Sequence, residues 1–101
     1  MKYSVVFLAE AEGDLNNLFD YIADQSGALR AQNYIGRIEA ACAKLSSFPN
    51  KGAPRDDLLP GLRTLSFERR ALVVYRVENT TVFVLRVFYG GRDYERELTR
   101  E

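Results

Sequence analysis

The stretch "ALVVYRVENTTVFVLRVF", residues 71–88, decides the fold. It holds two strand-like runs, "ALVVYRV" (71–77) and "TVFVLRVF" (81–88), joined by a connection of hairpin length. β-Branched and aromatic residues dominate both, as in strands that pack on a pleated surface. A strand wetted on one side alternates apolar and polar residues; these two are apolar on both parities. Such strands are covered on both faces, or leave one face for a partner. Upstream, "LRTLSF" (62–67) reads as another strand, and "ERR" (68–70) is short enough for a second hairpin. The three runs therefore form an antiparallel meander.

Working toward the N-terminus, "PNKGAPRDDLLPG" (49–61) contains all three prolines and two glycines and reads as a loop. Before it, Ala31, Tyr34, Ile35, Ile38, Ala41, Cys42 and Leu45 recur with helical period, and Phe48-Pro49 ends the pattern. An earlier helix places Ala11, Leu15, Leu18, Phe19 and Ile22 on one face, with Glu10, Glu12 and Asp14 near its positive end. Ser26-Gly27 separates the two helices, a connection so short that they pack as an antiparallel hairpin. Gly36, inside the second helix, suggests close approach of the two helix backbones. "YSVVFL" (3–8) is the first strand. The expectation is one α+β domain over residues 1–101, of order β-α-α-β-β-β. Its helical hairpin packs on one face of a mainly antiparallel sheet of about four strands. Two helices cover one face only, so the other is left apolar and available.

Composition narrows the chemistry. The chain has 14 basic and 14 acidic residues, so net charge announces no nucleic-acid or membrane partner. Eleven arginines against three lysines point to bidentate contacts and interfaces, or to a compositional bias. Histidine is absent, removing the usual acid/base group near neutral pH and the commonest metal ligand. No metal or cofactor is expected. The lone Cys42 cannot form an internal disulfide, and its apolar rhythm marks it as a packed thiol. With no membrane-length apolar run and no secretory signal, a cytoplasmic location is expected.

The chain resembles the RelE/ParE superfamily of bacterial toxins over nearly its whole length. The likeness rests on "AEAEGDLNNLFDYIADQSG", on "AQNYIGRIEAACAKLSSFPNKGAPRDDLLPGLR", and on "VVYRV" with "VLRVFYGGRDYE". Its ordered series is Pro49, Gly52, Arg55, then Pro60-Gly61-Leu62-Arg63, Tyr75-Arg76-Val77 and Gly91-Arg92-Asp93. RelE-like members are ribosome-dependent ribonucleases, whereas ParE-like members poison DNA gyrase without hydrolysis. Both are silenced by a co-encoded antitoxin, ParD-like and DNA-binding in the second branch.

The nuclease branch uses lysines on the first meander strand, an arginine on the next, and an arginine with a tyrosine or histidine near the C-terminus. Here the first of these strands offers only Arg63, Leu72 stands where the arginine is expected, and Tyr94 comes too early. Arginine stays protonated and is a poor general base. "GGRDYE" is similar to the ParE-type ending, although Tyr89 replaces a histidine frequent there. The resemblance thus implies no catalytic residues. It suggests gyrase-binding candidates Arg69, Arg70, Arg92, Tyr94 and Arg96, and structural or interface roles for Arg63, Arg76 and Arg86. A RelE-like ribonuclease, or a non-toxic antitoxin-binding remnant, are the alternatives. Residues 92–101 are expected to be a tail hinged at Gly90-Gly91 whose removal abolishes toxicity and leaves the fold intact.

Overall fold

The computed structural model describes residues 2–90 and 94–99. Strand β1 (Ser4–Phe7) leads into helices α1 (Ala9–Ser26) and α2 (Ala28–Ala43), and a 3₁₀ turn (Lys44–Ser46) follows. Strands β2 (Ala53–Pro54), β3 (Leu62–Phe67), β4 (Ala71–Glu78) and β5 (Thr81–Tyr89) come next, and α3 (Tyr94–Thr99) ends the described chain. The sheet order is β1-β5-β4-β3-β2, with β1 parallel to β5 and the other pairs antiparallel. The sheet has five strands, one more than expected. The addition is β2, a two-residue piece of the loop containing Pro54, which an edge position tolerates.

The two-parity apolar pattern has a geometric cause. Val74 pairs with Arg86 and Tyr75 with Val84, leaving Leu85 without a partner in the register. This bulge changes the parity of β5, so Val82, Val84 and Val87 all join the core under the helices. That core includes Leu15, Leu18, Ile38, Cys42, Leu45, Val73 and Tyr75. A fully buried valine or leucine contributes about 1.5–3 kcal/mol. On the other face Leu62, Val74 and Phe88 form a second cluster, packed against by Leu58, Leu72, Leu85, Tyr94 and Leu98. The second face is therefore partly covered by the chain itself. Tyr94 and Leu98, beyond the last strand, pack against this second cluster, which corrects the expectation of a detachable tail.

Gly27 links the helices with φ 95°, and its N–H donates to Ala23 O at 2.9 Å, a conformation glycine adopts without strain. Gly36 does not serve close helix packing. It is exposed, and an added Cβ would meet no atom within 4 Å. The close approach is at Gly52, where a Cβ would lie 2.8 Å from the Tyr75 hydroxyl and from Thr64 O. Tyr75, fully buried, ties the 49–61 loop to the core. Its hydroxyl accepts the Gly52 N–H at 2.7 Å and donates to Pro49 O at 2.8 Å.

Burial also shapes the titration of the core. It pushes the Cys42 thiol from 9.0 up to about 12, aided by Glu39, and it raises the Tyr34 and Tyr75 hydroxyls above their ordinary value. Groups raised on folding release protons first from the unfolded chain. Their contribution is complete below the unfolded pKa and is lost as pH rises through the folded one. Urea midpoints should therefore fall progressively above about pH 9. A midpoint independent of pH from 8 to 11 would contradict this.

Candidate protein-interaction site

The strand arginines have built partners. Arg86 makes a paired contact with Asp14 of α1, Nε to Oδ2 at 2.8 Å and Nη2 to Oδ1 at 3.0 Å. The same carboxylate accepts the Val87 N–H at 2.8 Å, satisfying β5 beyond the end of β1. Arg63 Nη1 donates to Asn50 O at 3.1 Å and Gly52 O at 2.6 Å. Arg76 Nε lies 2.7 Å from Glu78 Oε2, an ion pair whose geometry makes no hydrogen bond.

The β3–β4 hairpin differs. Phe67 O accepts the Arg70 N–H at 3.1 Å, closing a tight turn whose central residues Glu68 and Arg69 have φ of 49° and 63°. Asparagine and glycine usually fill such positions, because a Cβ costs roughly 1–2 kcal/mol there. Glu68 is steadied by Arg37 of α2, at 3.0 and 3.2 Å. Arg69 and Arg70 are exposed and have no ion-pair partner among the described residues. Arg69→Gly should raise the melting temperature by about 4–8 °C, from relief of roughly 1 kcal/mol of strain. An unchanged or lower value by scanning calorimetry would remove strain as a feature of this turn.

Arg55 positions the C-terminal helix. Its Nη1 donates to the Tyr94 hydroxyl at 2.6 Å, and its Nη2 reaches Asp57 at 2.9 Å and Glu95 at 2.8 Å. These contacts raise the Arg55 pKa and hold the Asp57 carboxyl below its usual range. Tyr94 is half-buried, with its ring 6.2 Å from that of Phe88.

The hairpin and the helix meet around a shallow depression of ≈ 330 Å³, lined among others by Ser66, Arg69, Arg70, Leu72, Phe88 and Tyr94. Three of the five candidates thus come together. Arg96 sits exposed on α3 away from this lining, and Arg92 lies outside the described residues. The floor is apolar and the rim cationic, an arrangement that seats an apolar group flanked by acidic ones. Among the described residues no group of three His, Cys, Asp or Glu side chains could hold a metal. No described helix is long and apolar enough to cross a membrane.

Sequence reasoning missed Asp14, Arg55 and Tyr75 as organising residues. Asp14 was legible only as a helix N-terminal acid, and Arg55 only as a member of a motif series. Tyr75 likewise stood out only as a member of that series, within an apolar strand.

Comparison with known proteins agrees with this architecture. Residues 5–94 match the family described as the ParE toxin of the type II toxin-antitoxin system, parDE. Toxin ParE3 of Caulobacter vibrioides is 33% identical over 97 residues, covering 96% of each chain. A solved structure of the chromosomal ParDE TA system from P. aeruginosa superposes with a TM-score of 0.78 at 27% identity, over 88% of this chain and 97% of that one. E. coli toxin RelE, in a mutant free state, shares the fold alone, with a TM-score of 0.68 at 14% identity over 98% and 95%. On the family match and the ParE3 relationship, this chain belongs to the ParE toxin family of type II toxin-antitoxin systems.

Proposed function

We propose that the protein is a non-enzymatic toxin that poisons DNA gyrase, engaging it through the cation-rimmed depression, and is neutralised by a cognate ParD-like antitoxin. The observation that carries this reading is the lining itself. Arg69 and Arg70, which have no ion-pair partner among the described residues, share this lining with Leu72 and Phe88. Guanidinium groups attract carboxylates but cannot accept a proton, so the rim suits binding better than acid/base chemistry. Strand arginines that a nuclease could employ are held by Asp14, by Glu78 and by loop carbonyls. Similarity to a ParDE system supports the antitoxin as partner.

The test measures two activities of one preparation. Purified toxin should produce gyrase-dependent DNA cleavage, suppressed by the co-expressed neighbouring antitoxin, and leave messages on translating ribosomes intact. Cuts at codon positions with gyrase unaffected would instead establish the RelE-like ribonuclease. Neither activity, with antitoxin binding retained, would mark a toxin fold kept as a binding partner.

A further inference from the structure

The β3–β4 turn is made of residues that do not favour its shape. Its central residues Glu68 and Arg69 have φ of 49° and 63°, where a Cβ crowds the backbone. Neither is a glycine, asparagine or aspartate, which adopt this conformation readily. A turn so occupied persists only where its surroundings impose it. Four contacts do so. The Phe67 carbonyl accepts the Arg70 N–H at 3.1 Å, and the Arg70 carbonyl accepts the Gly90 N–H at 2.9 Å. The Phe67 ring meets the Tyr34 ring of α2 edge-on, with centroids 5.8 Å apart. Arg37, three residues after Tyr34, donates from Nε and Nη2 to the two Glu68 carboxylate oxygens at 3.0 and 3.2 Å.

The first three contacts hold the base of the turn. Of the four, only the Arg37 fork engages a central residue, and two parallel bonds fix direction as well as distance. The guanidinium lies 5.3 Å from the centre of the Tyr34 ring, so the anchor is set by the packed helix. Arg69 and Arg70 have no ion-pair partner among the described residues. The backbone beneath them therefore decides where their guanidinium groups stand.

We propose that Arg37 and Glu68 are positioning residues for target recognition. The fork locks the turn, and the turn aims Arg69 and Arg70 at the depression they line with Leu72, Phe88 and Tyr94. Arg37 is not part of that lining and acts through Glu68, 31 positions away. Without the fork the turn relaxes toward negative φ, a form that splays the strand ends and redirects Arg69. The target would then have to order the turn on binding, a cost that a preformed rim avoids. The inference rests on the gyrase reading above and extends it to residues outside the contact surface. The plain alternative is a surface ion pair. Both side chains are about half exposed, at 52% and 44%, so the pair by itself adds little to stability. The two accounts differ in which measurement moves.

Purified toxin titrated into gyrase and supercoiled DNA tests them. Arg37→Gln should raise the toxin concentration for half-maximal cleavage roughly tenfold, because two arginine side chains lose their preset positions. The cleavage plateau should be unchanged, and the melting temperature should move by less than about 4 °C. In the free variant, the heteronuclear NOE of the Arg69 and Arg70 amides should fall, as the turn gains fast motion. Adding Glu68→Asn to Arg37→Gln should recover most of the lost affinity, since asparagine takes a positive φ without the tether. Wild-type concentration dependence in Arg37→Gln would overturn the positioning role and leave the gyrase reading intact. A loss that Glu68→Asn does not recover would make Arg37 a direct target contact, and the proposal would fall. Absence of gyrase-dependent cleavage with the wild-type toxin would overturn both.

Discussion

Gly52→Ala is expected to destabilise the protein by about 3 kcal/mol, lowering its melting temperature by roughly 12–24 °C. The added methyl would sit 2.8 Å from the Tyr75 hydroxyl, from its ring and from Thr64 O, so either the loop or the buried tyrosine must move. Movement breaks the Gly52–Tyr75 and Tyr75–Pro49 hydrogen bonds together. It also disturbs the Gly52 carbonyl that accepts from Arg63. Tyr75→Phe separates the steric part from the polar part. It keeps the ring and leaves the Gly52 N–H and Pro49 carbonyl unsatisfied, at a cost of about 1–3 kcal/mol. Thermal unfolding of both variants measures the two parts. A Gly52→Ala protein as stable as the parent would show that Tyr75 does not anchor the loop.

Removing residues 94–101 is expected to cost about 3 kcal/mol, by uncovering Leu62, Val74 and Phe88, which are 1%, 0% and 2% exposed. Gyrase-dependent cleavage should be lost as well, since Tyr94 leaves the proposed contact surface. Loss after truncation alone would thus confuse target binding with a damaged sheet. Arg69→Ala and Arg70→Ala separate the two, because both side chains are exposed and unpaired among the described residues. Each should change stability within about 0.5 kcal/mol, as ordinary surface substitutions do, and lower cleavage at least tenfold. Tyr94→Phe keeps its ring on the cluster and loses the hydroxyl bonded to Arg55. Stable arginine variants with full cleavage activity would place the target surface elsewhere on the toxin.

Local pattern by itself determined the helical hairpin, the first strand and the meander. Those elements are specified by period: Ala11, Leu15 and Leu18 repeat as a helix face, and the runs at 71–77 and 81–88 are rich in β-branched residues. It also identified Cys42 as a packed thiol and drew attention to the hairpin arginines Arg69 and Arg70. Tertiary structure alone decided what depends on residues far apart in the chain. The carboxylate of Asp14 finds Arg86 across 72 positions, and Arg55 finds Glu95 across 40. β2 is two residues long and contains a proline, so its strand character comes wholly from pairing with β3. α3 has only six residues, too few to be stable as a helix alone, and it exists where Tyr94 and Leu98 can pack on the second sheet face. The two glycines make the same point. Gly36 and Gly52 look alike in a sequence, yet only Gly52 faces a buried hydroxyl, because a missing Cβ gains meaning from the atom brought against it.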